Sequence, residues 1–129
     1  PYFDPRQVSR TTRIMPEVWD NLEAASLVIA TVKDLDALFP GEDPATAFSG
    51  HILFYCRRCL ILDYSSLTMR FFDGDRSWTF DCHPTANDEF TWTAGAIAGA
   101  VRALTEKISD PDDIMAKANE TARSRLSDQ

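Results

Sequence analysis

Two stretches in the N-terminal half of the chain carry apolar residues at helical spacing. From Pro16 to Leu38 they recur every three or four positions, and acidic residues follow Pro16, where they suit the positive end of a helix dipole. The second pattern runs from Pro44 to Asp63 and follows Asp43, and an aspartate before a proline is a common helix start. It is apolar around most of the helix circumference. The sequence therefore predicts a first helix over 16–38 and a buried second helix over 44–63.

Between residues 67 and 82 the spacing of apolar residues changes from helical to alternating. Two alternating runs flank the segment DGDR, whose Asp-Gly pair is typical of a tight turn between antiparallel strands. The inward-facing positions are Leu67, Met69, Phe71, Trp78, Phe80 and Cys82. This pattern predicts one β-hairpin.

Helix signals return in the C-terminal part of the chain. Asn87 or Asp88 can cap a third helix that runs to about Lys107, and Asp110 followed by Pro111 starts a fourth. The predicted fold class is α+β and mostly helical, with about four helices and one antiparallel β-hairpin between the second and third. Residues 1–13 are predicted to form an extended basic arm, and residues 14–129 a single α+β domain.

Composition and charge narrow the function classes. The chain has 129 residues and a formal net charge of −7, so its overall field repels nucleic acid. It has no apolar run long enough to span a bilayer. Three cysteines is an odd number, which disfavours a secreted disulfide framework. These features predict an intracellular, cytoplasmic protein that binds neither membranes nor, through its overall field, nucleic acid.

The first thirteen residues differ in charge from the helix that follows. Three arginines oppose one aspartate in this arm, while the next segment is strongly acidic. The arm of one copy could therefore lie on the acidic helix of another, and local contact with nucleic acid is conceivable only here. The predicted partner-binding residues are Tyr2, Phe3, Arg6, Arg10 and Arg13.

All three cysteines and both histidines fall within residues 51–83. The spacing Cys56-x-x-Cys59 together with Cys82 and His83 could supply four zinc ligands, with His51 in reserve. However, the cysteines share the apolar positions of their segments, where free cysteine packs as a small hydrophobic residue. The sequence therefore favours structural cysteines and no cofactor, and zinc is the alternative.

No catalytic motif is present: there is no phosphate-binding loop, no nucleophile elbow and no zinc-protease signature. The sequence therefore favours a non-catalytic protein-interaction or self-association domain, such as a homodimer or other homo-oligomer, or a fragment of a larger structural or assembly protein. The first alternative is a small zinc-stabilised binding module. The second is an enzyme of unknown class that uses His83.

Overall fold

The computed structural model describes residues 27–82, 84–85 and 87–127. They belong to two compact units. Of the described residues, the first unit contains 27–61 together with Phe72–Ser77, and the second contains Leu62–Phe71 together with those from Trp78 onward. The predicted boundary at residue 13 lies outside the described residues.

In the first unit, a short strand leads directly into a capped helix. Strand β1 is Val28–Thr31 and helix α1 is Val32–Leu38. The Thr31 hydroxyl accepts a hydrogen bond from the Asp34 backbone N–H, and the Asp34 carboxylate accepts one from the Thr31 backbone N–H, both at 3.0 Å. This reciprocal capping box fixes the start of the helix at Val32.

A second short helix and a 3₁₀ turn complete the helical part of this unit. Helix α2 is Pro44–Gly50, capped by the Asp43 carboxylate, which accepts the Thr46 N–H at 2.8 Å. The 3₁₀ turn is Ile52–Phe54. The buried core of the unit consists of Leu35, Phe39, Ala47, Phe48, Ile52, Cys59, Ile61 and Phe72.

Four strands form one mixed sheet in the order β1-β2-β3-β4, in which β2, β3 and β4 are antiparallel. Strand β2 is Arg58–Asp63, β3 is Thr68–Asp73 and β4 is Arg76–Asp81. The β3–β4 turn contains Gly74 with φ +61°, a conformation that favours glycine. The alternating strands predicted around the Asp-Gly turn are thus present as β3 and β4.

In the second unit, two long helices pack closely. Helix α3 is Glu89–Thr105 and helix α4 is Pro111–Ser127. A Cβ atom at Gly99 would lie 2.6 Å from the Lys117 carbonyl oxygen, so the backbones approach more closely there than a side chain allows. No helix among the described residues has the length and apolarity needed to cross a membrane.

The predicted fold class is wrong, because the chain forms a four-stranded mixed sheet and not a lone hairpin among helices. The predicted second helix, 44–63, stops at Gly50, and its last six residues are strand β2. The four middle residues of β2 are buried, so this strand has no polar face. A short, continuously apolar run fits a buried strand as well as a buried helix.

The predicted first helix, 16–38, is wrong over part of its described length. Residues 28–31 form strand β1, and only Val32–Leu38 are helical. Val28, Ile29 and Thr31 are β-branched, which favours an extended backbone. Residues 16–26 lie outside the described part of the chain.

Candidate functional site

The start of α3 presents an exposed carboxylate at the end of a long helix. Asp88 is the N-cap residue, with φ −72° and ψ 172°, and its carboxylate accepts the Thr91 backbone N–H at 2.7 Å. Its carbonyl oxygen accepts the Trp92 N–H at 2.9 Å. The first backbone N–H groups of a helix point along the axis and carry partial positive charge, so anions and carboxylates are stabilised there.

The loop before Asp88 is anchored by hydrogen bonds. Asn87 is buried, and its side-chain Nδ2 donates to the Ala122 carbonyl oxygen of α4 at 2.7 Å. The Tyr64 hydroxyl donates to the Asn87 carbonyl oxygen at 2.7 Å. The Asn87 N–H donates to the Thr85 hydroxyl at 3.0 Å. Two of these three bonds join residues far apart in the sequence, so the position of Asn87 is set by the tertiary structure.

An aromatic pair lies beneath this loop. Trp92, one turn into α3, is fully buried, and its ring meets that of Tyr64 edge-on, with centroids 5.7 Å apart and planes inclined by 61°. Aromatic pairs favour such edge-on contacts because the positive rim of one ring meets the negative face of the other. Tyr64 therefore contacts α3 through its ring and the loop through its hydroxyl.

The carboxyl of Asp88 is ionised at neutral pH. The Thr91 backbone N–H, followed by the Thr91 side chain, lowers the pKa of Asp88 below the ordinary aspartate value. Because the side chain is exposed, solvent or a bound molecule can reach it. The geometry therefore provides an accessible proton acceptor beside the positive end of a helix.

The cysteines are held by packing and local bonds. Cys56 and Cys59 are buried in the first unit, and the Cys56 thiol donates to the Arg58 carbonyl oxygen at 3.3 Å. Burial, and to a lesser extent Cys56, raises the pKa of Cys59 to about 12. For Cys82, which is half-buried in the second unit, burial and then Asp81 raise the pKa to about 11.

No group of three or more His, Cys, Asp or Glu residues suited to a metal ion occurs among the described residues. His83 lies outside them, so the set Cys56, Cys59, Cys82 and His83 stays a prediction. The reserve ligand His51 contacts two neighbours of its own unit. Its ring stacks on that of Phe39 with the ring centroids 4.0 Å apart, and its Nε2 is 2.7 Å from a Glu42 carboxylate oxygen.

The predicted partner-binding residues Tyr2, Phe3, Arg6, Arg10 and Arg13 also lie outside the described part of the chain. An open cavity of about 300 Å³ lies beside α1 in the first unit. One of its acidic wall residues, Glu42, already binds His51. This cavity offers less chemistry than the start of α3, where the carboxylate is exposed.

Asp88 is the functional candidate that sequence reasoning did not identify. The segment NDEF marked it only as a possible helix cap, next to an Ala- and Gly-rich helix. Its position follows from that of Asn87, which Tyr64 and α4 bind from distant positions in the sequence. A capping signal alone does not separate such a residue from the many aspartates that simply start helices.

Comparisons with known proteins find a fold and no sequence relative. No family model matches the chain, and neither does any curated protein. Adenosine kinase from Sinorhizobium meliloti matches with a TM-score of 0.71 and 16% identity, over 89% of this chain and 36% of that one. Aminoimidazole riboside kinase from Salmonella enterica, solved with aminoimidazole riboside and an ATP analogue, matches with a TM-score of 0.66 and 15% identity, over 88% and 38%.

A third match is a pyrophosphate-dependent kinase of the ribokinase family in complex with sulfate, with a TM-score of 0.62 and 12% identity, over 85% of this chain and 37% of that one. This chain therefore spans little more than a third of the length of these kinases. At such low identity the likeness establishes the fold and leaves the activity open. The chain has a ribokinase-like α/β fold.

The prediction of a non-catalytic interaction or self-association domain, including a homodimer, is wrong, because the structural neighbours are sugar kinases of the ribokinase family. The two alternatives, a zinc-stabilised module and an enzyme using His83, are not supported by these neighbours either. Among the described residues, the sheet is followed along the chain by a long helix that has an accessible carboxylate at its start.

Proposed function

We propose that this chain is part of a kinase that transfers a phosphoryl group to a hydroxyl of a sugar or nucleoside, with Asp88 as the proton acceptor. The observation that carries the proposal is the ribokinase-like fold, which spans about nine tenths of the chain in the adenosine kinase comparison. The ionised, exposed Asp88 at the start of α3 supplies a residue for the chemistry.

In the proposed reaction the terminal phosphoryl group of the donor is transferred to a hydroxyl oxygen of the sugar. The hydroxyl oxygen of the sugar forms a bond to the terminal phosphorus of the donor, and the bond from that phosphorus to its bridging oxygen breaks. The hydroxyl proton passes to the Asp88 carboxylate and later to solvent. An aspartate in this role accepts the proton while the new phosphorus–oxygen bond forms, so its low pKa is compatible with catalysis.

The donor proposed is a polyphosphate. Two of the neighbours are described with an ATP analogue or as pyrophosphate-dependent. The N–H groups at the start of α3 would attract the negative charge that develops on the transferred group. Cys56, Cys59 and Cys82 form no disulfide, which fits the predicted intracellular location, and that location is part of this proposal.

The test is a phosphoryl-transfer assay of the whole kinase of which this chain is proposed to be part, with ATP or pyrophosphate and a panel of sugars and nucleosides. Asp88→Asn keeps the size of the side chain and an oxygen that can cap the helix, but it removes the proton acceptor. We expect kcat to fall by roughly 10²- to 10⁴-fold, the usual contribution of a general base. Donor binding should be unchanged or tighter, because a negative charge is removed from the site.

The matched control is Asp110→Asn. Asp110 caps α4 as Asp88 caps α3, and its carboxylate accepts the Asp112 N–H at 2.9 Å. This variant should keep the wild-type kcat. A wild-type rate in the Asp88→Asn variant, or no transfer from either donor by the unmodified protein, would contradict the proposal.

A further inference from the structure

Asn87 is a buried polar residue directly before the proposed proton acceptor, with only 4% of its surface exposed. Three of its polar groups form hydrogen bonds. The side-chain amide donates to the Ala122 carbonyl oxygen in α4, and the Asn87 N–H donates to the Thr85 hydroxyl. The Asn87 carbonyl oxygen accepts from the Tyr64 hydroxyl. Buried polar groups are costly unless they are paired, and each pairing fixes a direction. Asn87 therefore has very little orientational freedom.

The bond from Tyr64 constrains Asp88 directly. The carbonyl group of Asn87 lies in the same rigid peptide plane as the Asp88 N–H. Because the Tyr64 hydroxyl holds that carbonyl at 2.7 Å, it also holds the plane from which the Asp88 side chain projects. If the plane rotated, the Asp88 carboxylate would swing away from the Thr91 N–H that it now accepts at 2.7 Å.

The two anchors come from positions remote in sequence but close to α3. Tyr64 follows strand β2, lies 23 residues before Asn87, and is fixed against the buried Trp92. Ala122 lies 35 residues after Asn87 in α4, which packs closely against α3. The loop is thus held on both sides by elements that are themselves packed against the helix carrying Asp88.

We infer that Asn87, held by Tyr64 and by the Ala122 carbonyl, is a positioning residue that sets the direction in which the Asp88 carboxylate meets the substrate hydroxyl. This inference rests on the proposed function. It also predicts a property of the free protein, the fixed environment of the Asp88 carboxylate, that can be measured without any turnover.

The experiment compares Tyr64→Phe and Asn87→Ala with the unmodified chain. Tyr64→Phe removes only the hydroxyl, so the contact of the ring with Trp92 is kept. NMR titration of the Asp88 side-chain carbon should show its pKa rising toward the ordinary aspartate value in both variants, because the bond from Thr91 weakens. The Thr91 amide proton resonance should move in the same variants. Thr85→Ser, which keeps the hydroxyl, should leave both signals unchanged.

Kinetic measurements on the same variants test the positioning role itself. A misdirected base slows the chemical step without weakening donor binding, so kcat should fall roughly 10- to 100-fold while KM for the donor stays constant. Urea unfolding of each variant shows that the comparison is made on folded protein. If either variant proves unfolded, the other carries the test.

The inference is overturned if Tyr64→Phe and Asn87→Ala fold and leave the Asp88 titration and the Thr91 resonance as they are in the unmodified chain. The bonds would then serve stability alone. Failure of the proposed function is a distinct result, since it would appear as wild-type turnover in Asp88→Asn. In that case the NMR signals would still decide whether Asn87 orients Asp88.

Discussion

Cys59 illustrates how burial changes the chemistry of one side chain. It is fully buried in strand β2, and the loss of solvent raises the pKa of its thiol to about 12, with a smaller contribution from Cys56. An ordinary thiol has a pKa near 9.0. At neutral pH the side chain is therefore an uncharged, weakly polar group that packs with Ile61 and Phe72 in the core.

This pKa difference predicts that the protein loses stability in alkaline solution. The unfolded chain releases the Cys59 proton above about pH 9, whereas the folded chain retains it up to about pH 12. Fewer protons are then bound in the unfolded state, so the free energy of unfolding falls as pH rises through that window, by at most about 1.4 kcal/mol per pH unit. Below this window the contribution of the buried thiol is fully present.

Cys59→Ala should remove this part of the pH dependence, measured as urea unfolding at pH 8 and pH 10.5. Tyrosine and lysine titrations are common to both proteins and cancel in the comparison. Ile61→Val is the control, because it alters the same core without removing a titrating group. Identical pH dependence in the Cys59→Ala variant and the unmodified chain would contradict the argument.

At the scale of elements, the close packing of α3 against α4 requires glycine residues on α3. Cβ atoms at Gly95 and Gly99 would lie 2.8 Å from the Cα atoms of Ala122 and Ala118, respectively. These neighbours are backbone atoms, which cannot move without shifting the helix. The helices therefore pack along a seam on which only glycine fits, and this packing positions the Ala122 carbonyl that binds Asn87.

Gly99→Ala should destabilise the protein, although alanine favours a helix over glycine by about 1 kcal/mol. Overpacking against a rigid backbone typically costs about 1–3 kcal/mol, so we expect a net loss in urea unfolding. Adding Thr121→Ala should restore little, because it relieves the contact with the Thr121 hydroxyl but leaves the Lys117 carbonyl oxygen at 2.6 Å. An unfolding midpoint equal to or above that of the unmodified chain would show that the seam can open.

At the scale of the whole molecule, the fold agrees with that of sugar kinases although sequence identity is very low. The adenosine kinase shares the fold at a TM-score of 0.71 with 16% identity. Cores accept many sequences if volume and hydrophobic pattern are kept, so a fold persists after individual residues have changed. For the same reason the fold alone does not transfer an activity, and the proposed function also requires the exposed, ionised Asp88 at the start of α3.

Net charge sets a further property of the whole chain. Twenty acidic residues against thirteen basic ones give the formal charge of −7, with a sequence pI near 4.7. Mutual repulsion keeps molecules apart at neutral pH and disappears near the pI. Turbidity measured from pH 4 to 8 should therefore peak close to pH 4.7. A solubility minimum at neutral pH would instead indicate that uncharged surface controls association.

The elements that the sequence predicted are those with strong local signals. The sequence offered Asn87 or Asp88 as the cap of α3 and Pro111 as the first residue of α4. The structure has Asp88 and Pro111 in these places, and local signals suffice because capping involves only neighbouring residues. The Asp-Gly turn and the alternation around it likewise placed β3 and β4. In the site, the same local reasoning identified Asp88 as a possible cap but not as a proton acceptor.

The sequence by itself thus determined where the chain turns between β3 and β4 and where α3 and α4 start, because these depend on contacts within a few residues. Only the tertiary structure decided that residues 58–63 form a strand, because a run buried on all sides is stabilised by pairing in the sheet and has no periodic polar face to reveal it. The tertiary structure also decided that Asn87 lies between Tyr64 and Ala122. Those bonds span 23 and 35 residues, a separation at which no local pattern specifies a partner.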